Sequence, residues 1–225
     1  MRATPRGTMF DARLRPLLAP LLDRAAATVD VPWITPNRLT GVNLVLGLAS
    51  AVLAATGSWL PALGAWLLCR LADGVDGPLA WRRAARGPSP GSGADTGQGG
   101  FWDISADFAV YGATVIGVAI GAAAGYGAPW LPFLVVLFAY YLNGSVFLAF
   151  SSVAERTGRR IDDGRSLSFL GGLAEGAETV LVHSLWLLFP FLAWQIAAVW
   201  GTVVLLSAVH RMIAGYRALG RPSGT

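Results

Sequence analysis

Asp73-Gly74-Val75-Asp76-Gly77-Pro78-Leu79-Ala80-Trp81-Arg82 and, beyond a glycine-rich insert, Gly99-Gly100-Phe101-Trp102-Asp103-Ile104-Ser105-Ala106-Asp107 form the stretch on which the fold turns. Asp73 and Asp76 are three positions apart, and Asp103 and Asp107 four, so on two helices each pair projects from one face. Four carboxylates can then converge on one point. Each pair borders a long apolar segment, where an unpaired charge is costly and therefore points to function. Repulsion among close anions is relieved by protons or by hard divalent cations with oxygen ligands, and the pattern favours cations.

The surrounding chain explains why these acids sit in apolar company. Of 225 residues, 54% are hydrophobic and only 13% charged, a composition too apolar for a soluble domain and consistent with one integral membrane domain. Every one of the 17 basic residues is arginine, and their uneven placement carries topology, so the net charge of +4 is no nucleic-acid signal. No nucleic-acid partner is expected. The single cysteine, Cys69, excludes an internal disulfide and reads as a small packing residue.

The first thirty residues do not read as a cleavable signal, because arginines and aspartates interrupt them. Phe10, Leu14, Leu17, Leu18, Leu21, Leu22 and Ala25 recur at helical spacing, which predicts an amphipathic helix lying in the membrane interface. Pro16 and Pro20 argue for a start near Pro16. Thr35-Pro36-Asn37 then caps a segment from Leu39 to about Ala55. Further apolar segments run from Ser58 to about Ala85, Trp102 to Gly125, Trp130 to Ala154, Ser168 to Phe189, and Phe191 to about Arg211. Within the third, Gly117, Gly121 and Gly125 offer a close-packing surface. Residues 87–100 are predicted to be a flexible loop, with Asp95 solvated.

Arginines crowd the N-terminus, the stretch after the second segment, the link before the fifth and the tail, whereas the connections near Gly57, Gly127 and Pro190 are uncharged. The predicted fold is therefore an all-α integral membrane protein, with six transmembrane helices after the interfacial helix and both termini in the cytoplasm. Both aspartate pairs then lie toward the cytoplasmic side.

Asp-x-x-Asp-Gly-x-x-Ala-Arg followed by Gly-x-x-x-Asp-x-x-x-Asp is the signature of the CDP-alcohol phosphotransferases, integral membrane enzymes of phospholipid synthesis, and this chain resembles it closely. Asp73, Asp76, Gly77 and Ala80 match the first half; Gly99, Asp103 and Asp107 match the second. Thr35-Pro36-Asn37-Arg38-Leu39-Thr40 resembles the usual start of the family's first helix. The chain departs from the pattern in placing Trp81 where the family has arginine, with Arg82 one step on, and in a longer gap before Gly99.

The resemblance implies transfer of a phosphatidyl group from a CDP-activated lipid, such as CDP-diacylglycerol, to a small alcohol, with release of CMP. It implies a pair of divalent cations, Mg2+ or Mn2+, roughly 4 Å apart. Asp73, Asp76 and Asp103 would be their ligands; Asp107 would be the catalytic base and a further ligand. Nucleotide contacts would come from Gly77, Ala80, Arg82, Gly99, Asn37 and Thr40. The division that follows is an interfacial helix at 1–34, a catalytic membrane domain at 35–215 and a tail at 216–225. A homodimer in a bacterial inner membrane, with the site facing the cytoplasm, completes the expectation.

Glu175 and Glu178 fall in the fifth segment, where members with phosphorylated acceptors tend to carry basic residues. Acids there favour a neutral or amine-bearing alcohol as acceptor, although pairing with Arg156 or Arg211 is an equal reading. Two other functions stay open: an intramembrane cation or proton transporter, and a catalytically weakened family member, indicated by Trp81. His183 and His210 are isolated and read as packing residues.

Overall fold

Thr35 and Pro36 start the first long apolar helix by their chemistry. Thr35 Oγ1 accepts from the backbone N–H of Arg38 at 3.2 Å, and Pro36, which has no N–H to satisfy, takes the first turn. The computed structural model describes residues 10–86, 97–158 and 176–220, and among these the regular structure is helical, with no strand. The helices are α1 (Phe10–Thr28), α2 (Pro36–Ala55), α3 (Trp59–Ala85), α4 (Gln98–Tyr126), α5 (Leu131–Arg156), α6 (Gly176–Leu188) and α7 (Ala193–Gly220), with a 3-10 turn at Pro190–Leu192 before α7.

Four helical stretches are long and apolar enough to cross a membrane: Pro36–Ala55, Gln98–Tyr126, Leu131–Arg156 and Pro190–Gly220. The expected six crossings exceed these four for two physical reasons. α3 is long enough but carries Arg70, Asp73, Asp76, Arg82 and Arg83, and α6 is described only from Gly176 and spans 13 residues. The expected start of the fifth segment, near Ser168, lies outside the described residues.

Boundaries shift where local chemistry overrides composition. α4 begins at Gln98, inside the expected loop, because Gly97 takes φ +71° and turns the chain; Gly99 and Gly100 are thus helical. Asp95 lies outside the described residues. α1 begins at Phe10 and runs through Pro16 and Pro20 rather than starting at Pro16. α7 continues to Gly220, through positions assigned to the tail.

α2, α3 and α4 pack together, α5 packs on α7, and α6 leans on α3. The shared core holds Trp66, Val110, Phe133, Trp186 and Val204, all essentially buried. The glycine surface of α4 sets the α2 spacing: a Cβ on Gly117 would overlap the Ala51 carbonyl, and one on Gly121 the Ala54 carbonyl. Gly125, expected on the same surface, faces open space.

α1 docks on the C-terminal half of α3 through a small cluster of Ala26, Val75 and Leu79, flanked by Leu22, Val29 and Ile34. A Cβ on Gly74 would stand 3.2 Å from Leu22 Cδ2, so the absence of a side chain beside Asp73 lets α1 come close. The link to α2 is pinned by Asp30, whose side chain is 5% exposed. Its carboxylate lies 3.2 Å from Arg83 Nε, 2.7 Å from Arg86 Nη2 and 3.9 Å from Arg82 Nε. Arg83 also donates to the carbonyls of Val31 and Ile34, at 2.9 and 2.7 Å. Burial pushes the Asp30 carboxyl up, but the hydrogen bonds and charges of Arg83 and Arg86 outweigh it and hold the group below the usual carboxylate range.

Two predictions follow from this packing. Gly117→Val forces a side chain into a backbone carbonyl and lowers stability by about 3 kcal/mol, the upper end for overpacking, whereas Gly125→Ala costs nothing; thermal unfolding in detergent compares them. Because the folded-state pKa of Asp30 is depressed, its stabilisation is present at neutral pH and is lost as pH falls below the ordinary carboxylate value of 3.8. Asp30→Asn therefore speeds amide hydrogen exchange over 29–35 at pH 7. Wild-type protein, corrected for intrinsic rates, converges on the variant only under strongly acidic conditions.

Candidate functional site

Three of the four signature carboxylates converge. Asp73 and Asp76 from α3 and Asp103 from α4 each present an oxygen, and the three oxygens lie within 4.8 Å of one another. α2 supplies the hydrogen bonds that aim them: Thr40 Oγ1 donates to Asp76 Oδ2 at 3.0 Å, and Asn43 Nδ2 donates to Asp73 Oδ1 at 3.3 Å. Asp103 Oδ1 is buried and has no hydrogen-bond partner. Hard oxygen donors from three carboxylates, one orphaned, fit a divalent cation. Asp73, Asp76 and Asp103 would hold it.

The fourth carboxylate is engaged differently. Asp107 Oδ1 accepts from Arg70 Nη1 at 3.1 Å, and the same nitrogen lies 3.5 Å from Asp73 Oδ2. Arg70 stands three positions before Asp73 on α3, with a side chain only 6% exposed. Its Nη1 also donates to Tyr111 Oη at 2.9 Å, and its Nη2 to Asn43 Oδ1 at 2.7 Å. The guanidinium lies over the rings of Trp66 and Tyr111, at 4.9 and 5.0 Å. Cys69 Sγ, 2.7 Å from Asn43 Oδ1 and 3.2 Å from Arg70 Nη2, belongs to this network and does more than fill space. Sequence reasoning passes over Arg70, Asn43 and Tyr111. An arginine inside an apolar segment was signal enough to find the first.

The other expected site residues occupy varied positions. Thr40 touches Asp76, as above. Asn37, in the first turn of α2, lies against the start of α4: its carbonyl accepts from Trp102 Nε1 at 3.3 Å, and a Cβ on Gly99 would sit 3.4 Å from its Oδ1. A Cβ on Gly77 would meet open space, so the surface beside Asp76 is accessible. Ala80 is exposed, as is Trp81. Arg82 faces Asp30. Glu175 lies outside the described residues. Glu178 has both carboxylate oxygens buried without a hydrogen-bond partner, so it makes no pair with Arg156 or Arg211.

Beside Asp107 opens a cavity of about 470 Å³ between α4, α5, α6 and α7, lined among others by Tyr111, Tyr140, Asn143, Thr179 and Arg211. Arg211 Nη1 donates to Asn143 Oδ1 at 3.1 Å. Deeper, His183 is fully buried, its ring stacked on Trp66 at 4.8 Å and its Nε2 2.8 Å from Tyr140 Oη, which accepts from Trp200 Nε1 at 2.7 Å. His183 is a core residue that fixes Tyr140.

A bundle of apolar helices with acids from α3 and α4 aimed at one point, and a cavity between α4, α5, α6 and α7 that reaches Asp107, defines an acidic-site protein. No protein-family model matches the sequence. The chain is 37% identical over 217 residues to the inner membrane protein YnjF of Escherichia coli K12, covering 94% of this chain and 97% of that one. Its fold matches Mycobacterium tuberculosis phosphatidylinositol phosphate synthase PgsA1 with CDP-DAG bound, at a TM-score of 0.65 and 18% identity over 91% of this chain and 100% of that one. The same synthase in complex with manganese and citrate gives a TM-score of 0.61 at 18% identity, covering 90% and 93%. The chain belongs to one family with this inner membrane protein, and it shares the fold of the synthase.

Asn43 bridges a carboxylate and a guanidinium from a fully buried position. Asn43→Leu leaves both charged partners short of a hydrogen bond and lowers stability by about 1–3 kcal/mol or more. Unfolding of the purified variant in detergent measures it, with loss of less than about 0.5 kcal/mol counting against the network.

Proposed function

We propose that this protein transfers a phosphatidyl group from a CDP-activated lipid, CDP-diacylglycerol in the simplest case, to a small alcohol, releasing CMP at the cytoplasmic face of a bacterial inner membrane. The observation that carries this reading is the convergence of Asp73, Asp76 and Asp103 within 4.8 Å, with Asp107, one turn beyond Asp103 on α4, lining a cavity. The resemblance of the aspartate signature, the shared fold and the CDP-DAG bound to the similar synthase support it. A divalent cation on those carboxylates supplies charge neutralisation for the donor's pyrophosphate and its leaving oxygen.

The chain's own residues do the rest. Thr40 and Asn43 hold Asp76 and Asp73 in place, so no reorganisation is needed when the donor arrives. Gly77 leaves room for the nucleotide beside Asp76. Asp107 borders the cavity that would admit the alcohol, and with Oδ1 taken by Arg70 its Oδ2 is the oxygen placed to accept the hydroxyl proton. The bond between that hydroxyl oxygen and the phosphatidyl phosphorus forms as the bond from phosphorus to the CMP oxygen breaks. Buried acid at Glu178, together with Glu175, favours a neutral or amine-bearing alcohol over a phosphorylated one. Six crossings, an interfacial α1 and a homodimer belong to the same proposal.

Purified protein given CDP-diacylglycerol, Mg2+ or Mn2+ and a panel of small alcohols is expected to release CMP and form a new phospholipid. Chelation of the metal stops release, Asp76→Asn lowers it by removing a cation ligand, and Asp107→Asn lowers it by a factor of about 100 or more, as for loss of an acid-base group. Failure to release CMP with any alcohol overturns the reading; so does undiminished release from Asp107→Asn for the role of that residue.

A further inference from the structure

We propose that the site takes a single divalent cation, and that the Arg70 guanidinium is the fixed second positive centre where the family resemblance implies another metal ion. The inference rests on Asp73, Asp76 and Asp103 being cation ligands.

Asp73 is the hinge of the argument. It shares the three-carboxylate cluster with Asp76 and Asp103, yet its Oδ2 lies 3.5 Å from Arg70 Nη1. Two-metal sites set their ions roughly 3.5–4 Å apart, so that each side of the cluster faces a positive charge. Here the second side, formed by Asp73 and Asp107, already faces one: Nη1 is 3.1 Å from Asp107 Oδ1. An ion joining Asp73 to Asp107 would have to displace a guanidinium or approach it against strong like-charge repulsion.

Displacement is opposed by how Arg70 is held. It is bonded to Asn43 and Tyr111, packed between the Trp66 and Tyr111 rings and almost wholly buried. Moving it aside would break these contacts and strand a charge in the bundle. The charge balance is consistent. Four carboxylates less one guanidinium carry three negative charges, which one divalent ion reduces to one before the donor binds. Unlike a metal ion, the guanidinium is retained through every turnover, and it offers fixed N–H donors rather than open coordination positions.

The experiment counts metal. Full-length protein in detergent, stripped by chelator and dialysed against Mn2+ without nucleotide, is analysed for bound Mn2+ per chain and by electron paramagnetic resonance. Wild type is expected to bind one ion per chain with the resolved pattern of an isolated Mn2+. Arg70→Met is expected to bind two ions, with the broadened signal of a coupled pair, whereas Arg70→Lys, which keeps the charge, stays at one. Two coupled ions in wild type overturn the inference, as does no bound ion, or a count in a folded Arg70→Met that stays at one. If Arg70→Met does not fold, the wild-type count and spectrum decide. Two ions together with CMP release would remove Arg70 from this role and leave the transferase reading standing; one ion without CMP release would do the reverse.

Discussion

Concentrated negative charge in a poorly polarisable bundle is the constraint from which the rest of the structure follows. Asp73, Asp76 and Asp103 bring oxygens within 4.8 Å of one another, and Asp107 stands close by. No such arrangement survives folding unless each carboxylate is met by a donor or a cation. α2 meets two of them with Thr40 and Asn43, and α3 meets its own Asp73, as well as Asp107 of α4, with Arg70. The orphaned oxygen of Asp103 is what remains for a ligand. The polar side chains of these three helices are thus arranged around a charge that none of them can neutralise alone.

Much of this was legible because membrane segments and acidic pairs obey short-range rules. The cap at Thr35 and Pro36 and the break at Pro190 are local, and the structure places helix boundaries there. Spacing along a helix put Asp73 and Asp76 on one face. Gly117 and Gly121 announced a close approach by their four-residue interval, and α2 makes it; Gly125 shares the interval but lies past the point where the helices touch. Composition failed at residues 97–100, where glycine content suggested loop but one positive φ at Gly97 was enough for α4 to begin.

What stayed hidden depends on neighbours distant in sequence. Asp30 and the arginines of α3 are about fifty positions apart, and only the docking of α1 makes them partners. Arg82 illustrates the consequence: the family resemblance offered it to the nucleotide, while the fold puts a buried carboxylate beside it. Arg70 could have been suspected from its apolar surroundings, but its binding of Asp107 required knowing which face of α4 turns toward α3. Asn43 gave no signal, since an asparagine in an apolar helix reads equally as a packing group.

The seam between α2 and α4 has a mechanical meaning. Gly117 lies fourteen residues beyond Asp103 on the same helix, roughly 20 Å away at 1.5 Å per residue. There α4 bears directly on the main chain of Ala51, with no side chain between to absorb a change in thickness. A rigid rod resting on so hard a bearing transmits any adjustment at one end to the other. The separation between the acid on α4 and the amide and hydroxyl on α2 is therefore gauged several turns away along the helices, by two residues that lack side chains altogether.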